Sequence, residues 1–81
     1  KYDWTNRAAD VATLRRLVQQ KPIIVETRYN HNESQVHYVL LVGFTPSGDF
    51  LTADPWMGDY VPFTSRFGSA PRWIYSAIEW R

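Results

Sequence analysis

The sequence predicts an α+β fold, one N-terminal helix packed on a mostly antiparallel, twisted sheet of about four to five strands. Three observations lead there. Apolar residues recur at helical spacing once, between Asp10 and Gln20. Runs rich in β-branched and aromatic residues recur several times after Pro22. The longest of these runs is followed by turn chemistry and a return strand. The 81 residues fit one small domain or a piece of a larger one, and 44% apolar with 16% aromatic residues is enough to build a core. Disorder and low complexity are excluded on that composition.

Residues 1 to 9 show no period; Tyr2 and Trp4 are placed to pack onto a neighbouring surface. Asp10 reads as an N-cap, followed by Val11, Leu14, Leu17 and Val18 on one helical face, with Arg15, Arg16, Gln19 and Gln20 mostly on the other. Lys21-Pro22 ends that helix, because the residue before proline is pushed out of the α region. Ile23 to Tyr29 is a strand, and the polar tract Asn30 to Gln35 a loop. Val36 to Phe44 is the strongest strand in the chain. Thr45-Pro46-Ser47-Gly48-Asp49 is a turn, and Phe50 to Ala53 returns as the hairpin partner, closed by Asp54-Pro55. Trp56 to Gly68 is irregular apart from a short strand near Tyr60 to Phe63, and Trp73 to Trp80 forms a last strand after Pro71.

Charge narrows the function classes. The formal net charge is +1, which argues against a nucleic-acid surface. No apolar run is long enough for a membrane span. There is no cysteine, so these residues offer no disulfide, no thiolate metal site and no thiol nucleophile. Cations cluster early (Lys1, Arg7, Arg15, Arg16, Lys21, Arg28), whereas Tyr29 to Ser65 contains no Lys or Arg and holds Glu33, Asp49, Asp54 and Asp59. Both histidines, His31 and His37, lie in that acidic stretch.

On the central strand, Val36, Tyr38, Leu40, Val42 and Phe44 share one face, and His37, Val39, Leu41 and Gly43 the other. Both faces are mainly apolar, so the sheet expects cover on both sides, and one helix covers one side. Burying a Leu or Val is worth about 1.5–3 kcal/mol. The sequence therefore predicts either a closed barrel or a second layer from another segment, and the second is preferred.

The pair that could carry chemistry is His37 with Asp54. With Phe44 opposite Asp49, Asp54 falls opposite Val39, and His37 becomes its diagonal neighbour on the same face. A slip of one residue would separate them onto opposite faces. A carboxylate on one imidazole nitrogen fixes the tautomer and leaves the other nitrogen to take a proton. The plainer reading is a core histidine and an Asp-Pro that merely ends a strand. His31, in a polar loop, reads as solvated. A metal triad of His31, His37 and Asp54 lacks the usual ligand spacing, so no metal and no cofactor is expected. Ser34, Ser47 and Ser65 lack a nucleophile-elbow pattern.

Three stretches, Leu14 to Val25 (LRRLVQQKPIIV), His37 to Phe44 (HYVLLVGF) and Ala53 to Gly58 (ADPWMG), resemble the C-terminal half of a bacterial papain-like domain. The family is that of the bacteriocin-processing, double-glycine leader peptidases and their secreted or phage-borne relatives, cysteine peptidase family thirty-nine. The resemblance covers roughly residues 10 to 70. It implies that His37 falls on the catalytic base and Asp54 on the residue that orients it, with Trp56 and the loop from Met57 to Phe67 walling a substrate cleft. It implies a peptide substrate, a leader peptide or a cell-wall peptide, in an extracellular, cell-envelope or virion setting. The family's nucleophilic Cys and a Gln donor to its oxyanion hole belong to an N-terminal helical half, for which Gln19, Gln20 and Gln35 are not equivalents. The expectation is therefore that residues 1–81 are the C-terminal part of one papain-like domain, inactive alone and partnered by that N-terminal half. The alternatives are a non-catalytic module that binds peptide or protein, and a small self-sufficient α+β interaction domain.

Overall fold

The structure, a computed structural model, describes residues 2–3 and 7–79. The elements run β1 (Tyr2–Asp3), α1 (Arg7–Val18), β2 (Ile23–Arg28), a 3-10 turn (Tyr29–His31), β3 (Val36–Phe44), β4 (Phe50–Asp54), β5 (Asp59–Pro62), α2 (Phe63–Phe67), α3 (Ala70–Trp73) and β6 (Ser76–Glu79). The strands form one sheet in the order β1-β6-β2-β3-β4-β5, and every pairing is antiparallel. The α+β class holds. The sheet has one strand more than expected, the two-residue β1.

Helix α1 places Leu14 and Val18 in the core and leaves Arg15, Arg16, Gln19 and Gln20 exposed, as the apolar spacing requires. It begins earlier than the sequence suggests: Asp10 lies inside the helix and is not its N-cap. The N–H groups of Gln20 and Lys21 close onto the Leu17 carbonyl, and Pro22 keeps the chain from continuing. Arg15 is exposed yet not idle. Its guanidinium donates to the Gly48 carbonyl at 2.6 Å and lies over the Phe50 ring at 4.9 Å, tying the helix to the β3–β4 turn.

Two further elements differ from expectation. The stretch after β5 is not irregular: Phe63 and Phe67, on the short helix α2, both reach the core. Asp49 caps that helix from the hairpin turn, its Oδ2 accepting from the Thr64 amide at 3.1 Å and from the Thr64 hydroxyl. Pro71 does not precede a strand but sits in the first turn of α3, where its missing N–H costs nothing. The last strand is therefore only Ser76–Glu79. Trp4 and the end of the expected strand at Trp80 lie outside the described residues.

The core sits between these helices and one face of the sheet. It contains Leu14, Val18, Ile23, Val25, Val39, Leu41, Phe50, Phe63, Phe67, Ala70, Ile74 and Ala77. Thr27 and Thr52 are buried in the same layer, with hydroxyls that have no hydrogen-bond partner among the described residues. The opposite face of the sheet leaves Val36, Tyr38, Tyr60 and Ile78 exposed.

The hairpin register decides which residues share the covered face. Phe44 pairs with Phe50, not with Asp49, so near the turn the register is one residue off the sequence expectation. A bulge between Leu41 and Gly43 restores it, so that Leu41 faces Thr52 and Leu40 faces Ala53. Below the bulge Asp54 comes opposite Val39, as expected. Above it Phe44 is turned from the Tyr38 face to pack on Phe50, ring centroids 5.6 Å apart.

Candidate active site

His37 is the second residue of β3 and Asp54 ends β4, and the covered face of the sheet brings them together. The His37 Nε2 lies 2.9 Å from Asp54 Oδ1. The Asp54 side chain is fully buried, while that of His37 keeps 10% of its surface exposed. A buried carboxylate needs donors, and Asp54 has three. Besides the imidazole, the Trp56 amide donates to Oδ1 at 3.0 Å and Arg66 donates to Oδ2 at 3.2 Å. Pro55 bends the chain after β4 so that the Trp56 amide turns back to the carboxylate it follows.

Arg66 was not singled out in the sequence. It extends from α2 and forms a two-pronged bridge to Asp59, 2.8 Å on each prong, while also reaching Asp54. The hydrogen bond to Asp59 holds the Arg66 guanidinium protonated well above its usual range, and the same contact holds the Asp59 carboxyl below the usual carboxylate range. The sequence did hold one signal: Arg66 is the first cation after the acidic stretch that ends at Ser65.

Rings surround the imidazole. Tyr29 stands edge-on at 5.7 Å, Trp56 edge-on at 6.3 Å, and Phe67 is tilted at 5.9 Å. Trp56 is largely exposed and, with Tyr29, Gln35 and Val36, lines an open groove of about 420 Å³. With Asp54 ionised, Nε2 carries the hydrogen and donates it, so Nδ1 presents its lone pair. Among the described residues Nδ1 has no hydrogen-bond partner.

His31 is not gathered into this site. It takes a positive φ of 56° in the 3-10 turn and packs its ring against Trp73, centroids 5.0 Å apart. No group of three His, Cys, Asp or Glu side chains converges as metal ligands among the described residues. Ser34 and Ser47 bond to their own loops, through Asn32 and Thr45.

A family model described as Peptidase_C39 like family matches residues 1–76. The chain belongs to that family. This is a peptidase-like domain, and the family agrees with the resemblance carried by the KPIIV, HYVLLVGF and ADPWMG stretches. No curated protein and no solved structure matches the chain. For a Peptidase_C39 like domain, an imidazole tied to a buried carboxylate beside an open, aromatic-walled groove is an arrangement able to accept and return a proton.

Proposed function

We propose that this chain is the base-bearing part of a cysteine peptidase domain. His37 is the general base and then the general acid, and Asp54 orients it. The nucleophilic Cys comes from a segment outside these 81 residues, on the same chain or an associated one. The observation that carries this reading is the 2.9 Å contact between His37 Nε2 and a fully buried Asp54, which leaves Nδ1 as the available base. Membership of the peptidase-like family supports it.

The chemistry follows from that geometry. Nδ1 takes the thiol proton, and the resulting imidazolium is stabilised by Asp54 through Nε2. The thiolate attacks the scissile carbonyl carbon, and the tetrahedral oxyanion collapses to a thioester. As the C–N bond breaks, the leaving amine takes the proton back from Nδ1. Water then adds to the thioester with His37 again as base, releasing the carboxylic acid and the thiol. Trp56 and Tyr29 wall the groove in which the peptide lies. Leader peptides and cell-wall peptides are both substrates of this chemical class.

The test joins these residues to their natural upstream sequence and assays peptide hydrolysis. His37→Ala is expected to lower turnover roughly 10²–10⁴-fold, and Asp54→Asn to lower it by misorienting the ring. Unchanged hydrolysis in both variants removes the assignment. The lack of cysteine in these residues keeps a second reading in view, a module that binds peptide without cutting it. Peptide binding without hydrolysis in the joined protein would select it.

A further inference from the structure

Asp54 does not stand alone behind the imidazole. Its Oδ2 meets Arg66, whose guanidinium is shared with Asp59, so a chain of alternating charge runs from the ring to the surface of β5. The exposed share of each side chain rises outward, from none at Asp54 to 24% at Arg66 and 43% at Asp59. The groups facing His37 from the packed elements are Asp54 from β4, Trp56 after it, Tyr29 from the 3-10 turn, Phe67 from α2 and Thr27 from β2. Of these, Asp54 alone carries charge near neutrality. Whatever sets the charge on Asp54 therefore acts on the ring.

We infer that Arg66 is a positioning residue that acts through Asp54, holding its carboxylate ionised and aimed at Nε2 and setting how readily the His37–Asp54 pair takes up a proton. The inference rests on His37 being the base. Asp54, Arg66 and Asp59 together carry one net negative charge. Without the guanidinium they carry two, and among the described residues facing His37 the neutralisation left within the buried layer is a proton on the His37–Asp54 pair. Losing the guanidinium therefore favours proton uptake by the pair, whichever of the two groups holds the proton. A protonated imidazole cannot accept the thiol proton, so such uptake competes with the role of base.

The experiment follows the His37 ring signals of the 81-residue chain by NMR across pH, with Arg66→Gln, Arg66→Lys and Asp59→Asn alongside. Arg66→Gln is expected to move the midpoint upward by roughly one pH unit. Arg66→Lys, which keeps the charge, stays near the unaltered chain. A folded Arg66→Gln whose midpoint is unmoved or lowered overturns the inference. If that variant does not fold, Asp59→Asn decides. It removes one of the two carboxylates that share Arg66, leaving the guanidinium to Asp54 alone, and is expected to lower the midpoint; an unmoved or raised one overturns the inference. No hydrolysis is read here. A shifted midpoint in a protein that does not cut peptides therefore counts against the peptidase reading alone.

Discussion

At Gly68 the backbone takes φ 90° and ψ −159°, a region that essentially only glycine enters. A Cβ there would come within 3.0 Å of Trp73 Cδ1 and 3.1 Å of His31 Nε2. Gly68→Ala is therefore expected to destabilise the chain by about 1–3 kcal/mol and to disturb the end of α2, which carries Arg66 and Phe67. Denaturant unfolding checks this, and an unchanged midpoint would show that the turn relaxes without cost. At this scale alternation along two strands made the pairing of His37 with Asp54 legible only for an assumed register; the turn is one residue off that register, and the bulge between Leu41 and Gly43, which the sequence did not announce, restores it. Arg66 was not, since its contact with Asp54 spans a turn and a short helix that no periodicity announces. Trp56 lines a groove beside the imidazole, and its amide contact with Asp54 was not legible, because a side chain's type says nothing of where its backbone N–H points.

Among the elements, the loop after the 3-10 turn is held by charge. Glu33 pairs with Arg72 of α3, Tyr75 adds a bond to both, and Arg28 of β2 donates to the Glu33 carbonyl at 2.8 Å. The Arg72 hydrogen bond chiefly holds the Glu33 carboxyl below its ordinary value of 4.5, and the Arg66 bond does the same to Asp59 from 3.8. A carboxyl depressed in the folded state stabilises it fully above the ordinary value and loses that contribution as pH falls through the depressed one. Stability is expected to fall on acidification below about pH 4, and Glu33→Gln to reduce the loss between neutral pH and pH 3. The same loss in both proteins would mean that the Glu33 contact contributes nothing. Strand β3 was readable to the residue because Val36, Tyr38, Val39, Val42 and Phe44 favour strand and turn-forming residues bound the run on both sides. Helices α2 and α3 were not, because five and four residues are too few to show a helical period.

For the molecule as a whole, the sheet is covered on one face only among the described residues. The sequence carried this: both faces of β3 are apolar, and the helices all pack on the face of Val39 and Leu41. The other face holds two shallow apolar hollows of about 300 and 280 Å³, which meet at Leu40 and Pro55 and are flanked by Tyr38 and Tyr60. Exposed surface of that kind binds apolar probes. The folded 81-residue chain is expected to enhance the fluorescence of a hydrophobic dye, and Tyr38→Lys to reduce that signal without altering the circular dichroism. A folded chain that leaves the dye dark would mean that this face is already covered. Among the described residues the closed barrel weighed from the sequence does not form, since the end strands β1 and β5 do not pair.

Val42, the extra residue of the bulge between Leu41 and Gly43, sets unequal tolerances along the hairpin. Residues added or lost at its tip, around Ser47, only change the size of a loop. One added or lost between His37 and Leu41, or between Thr52 and Asp54, changes an even count to an odd one and sends imidazole and carboxylate to opposite sides. Relatives that differ in length here can be expected to differ at the tip and to agree in parity at the root.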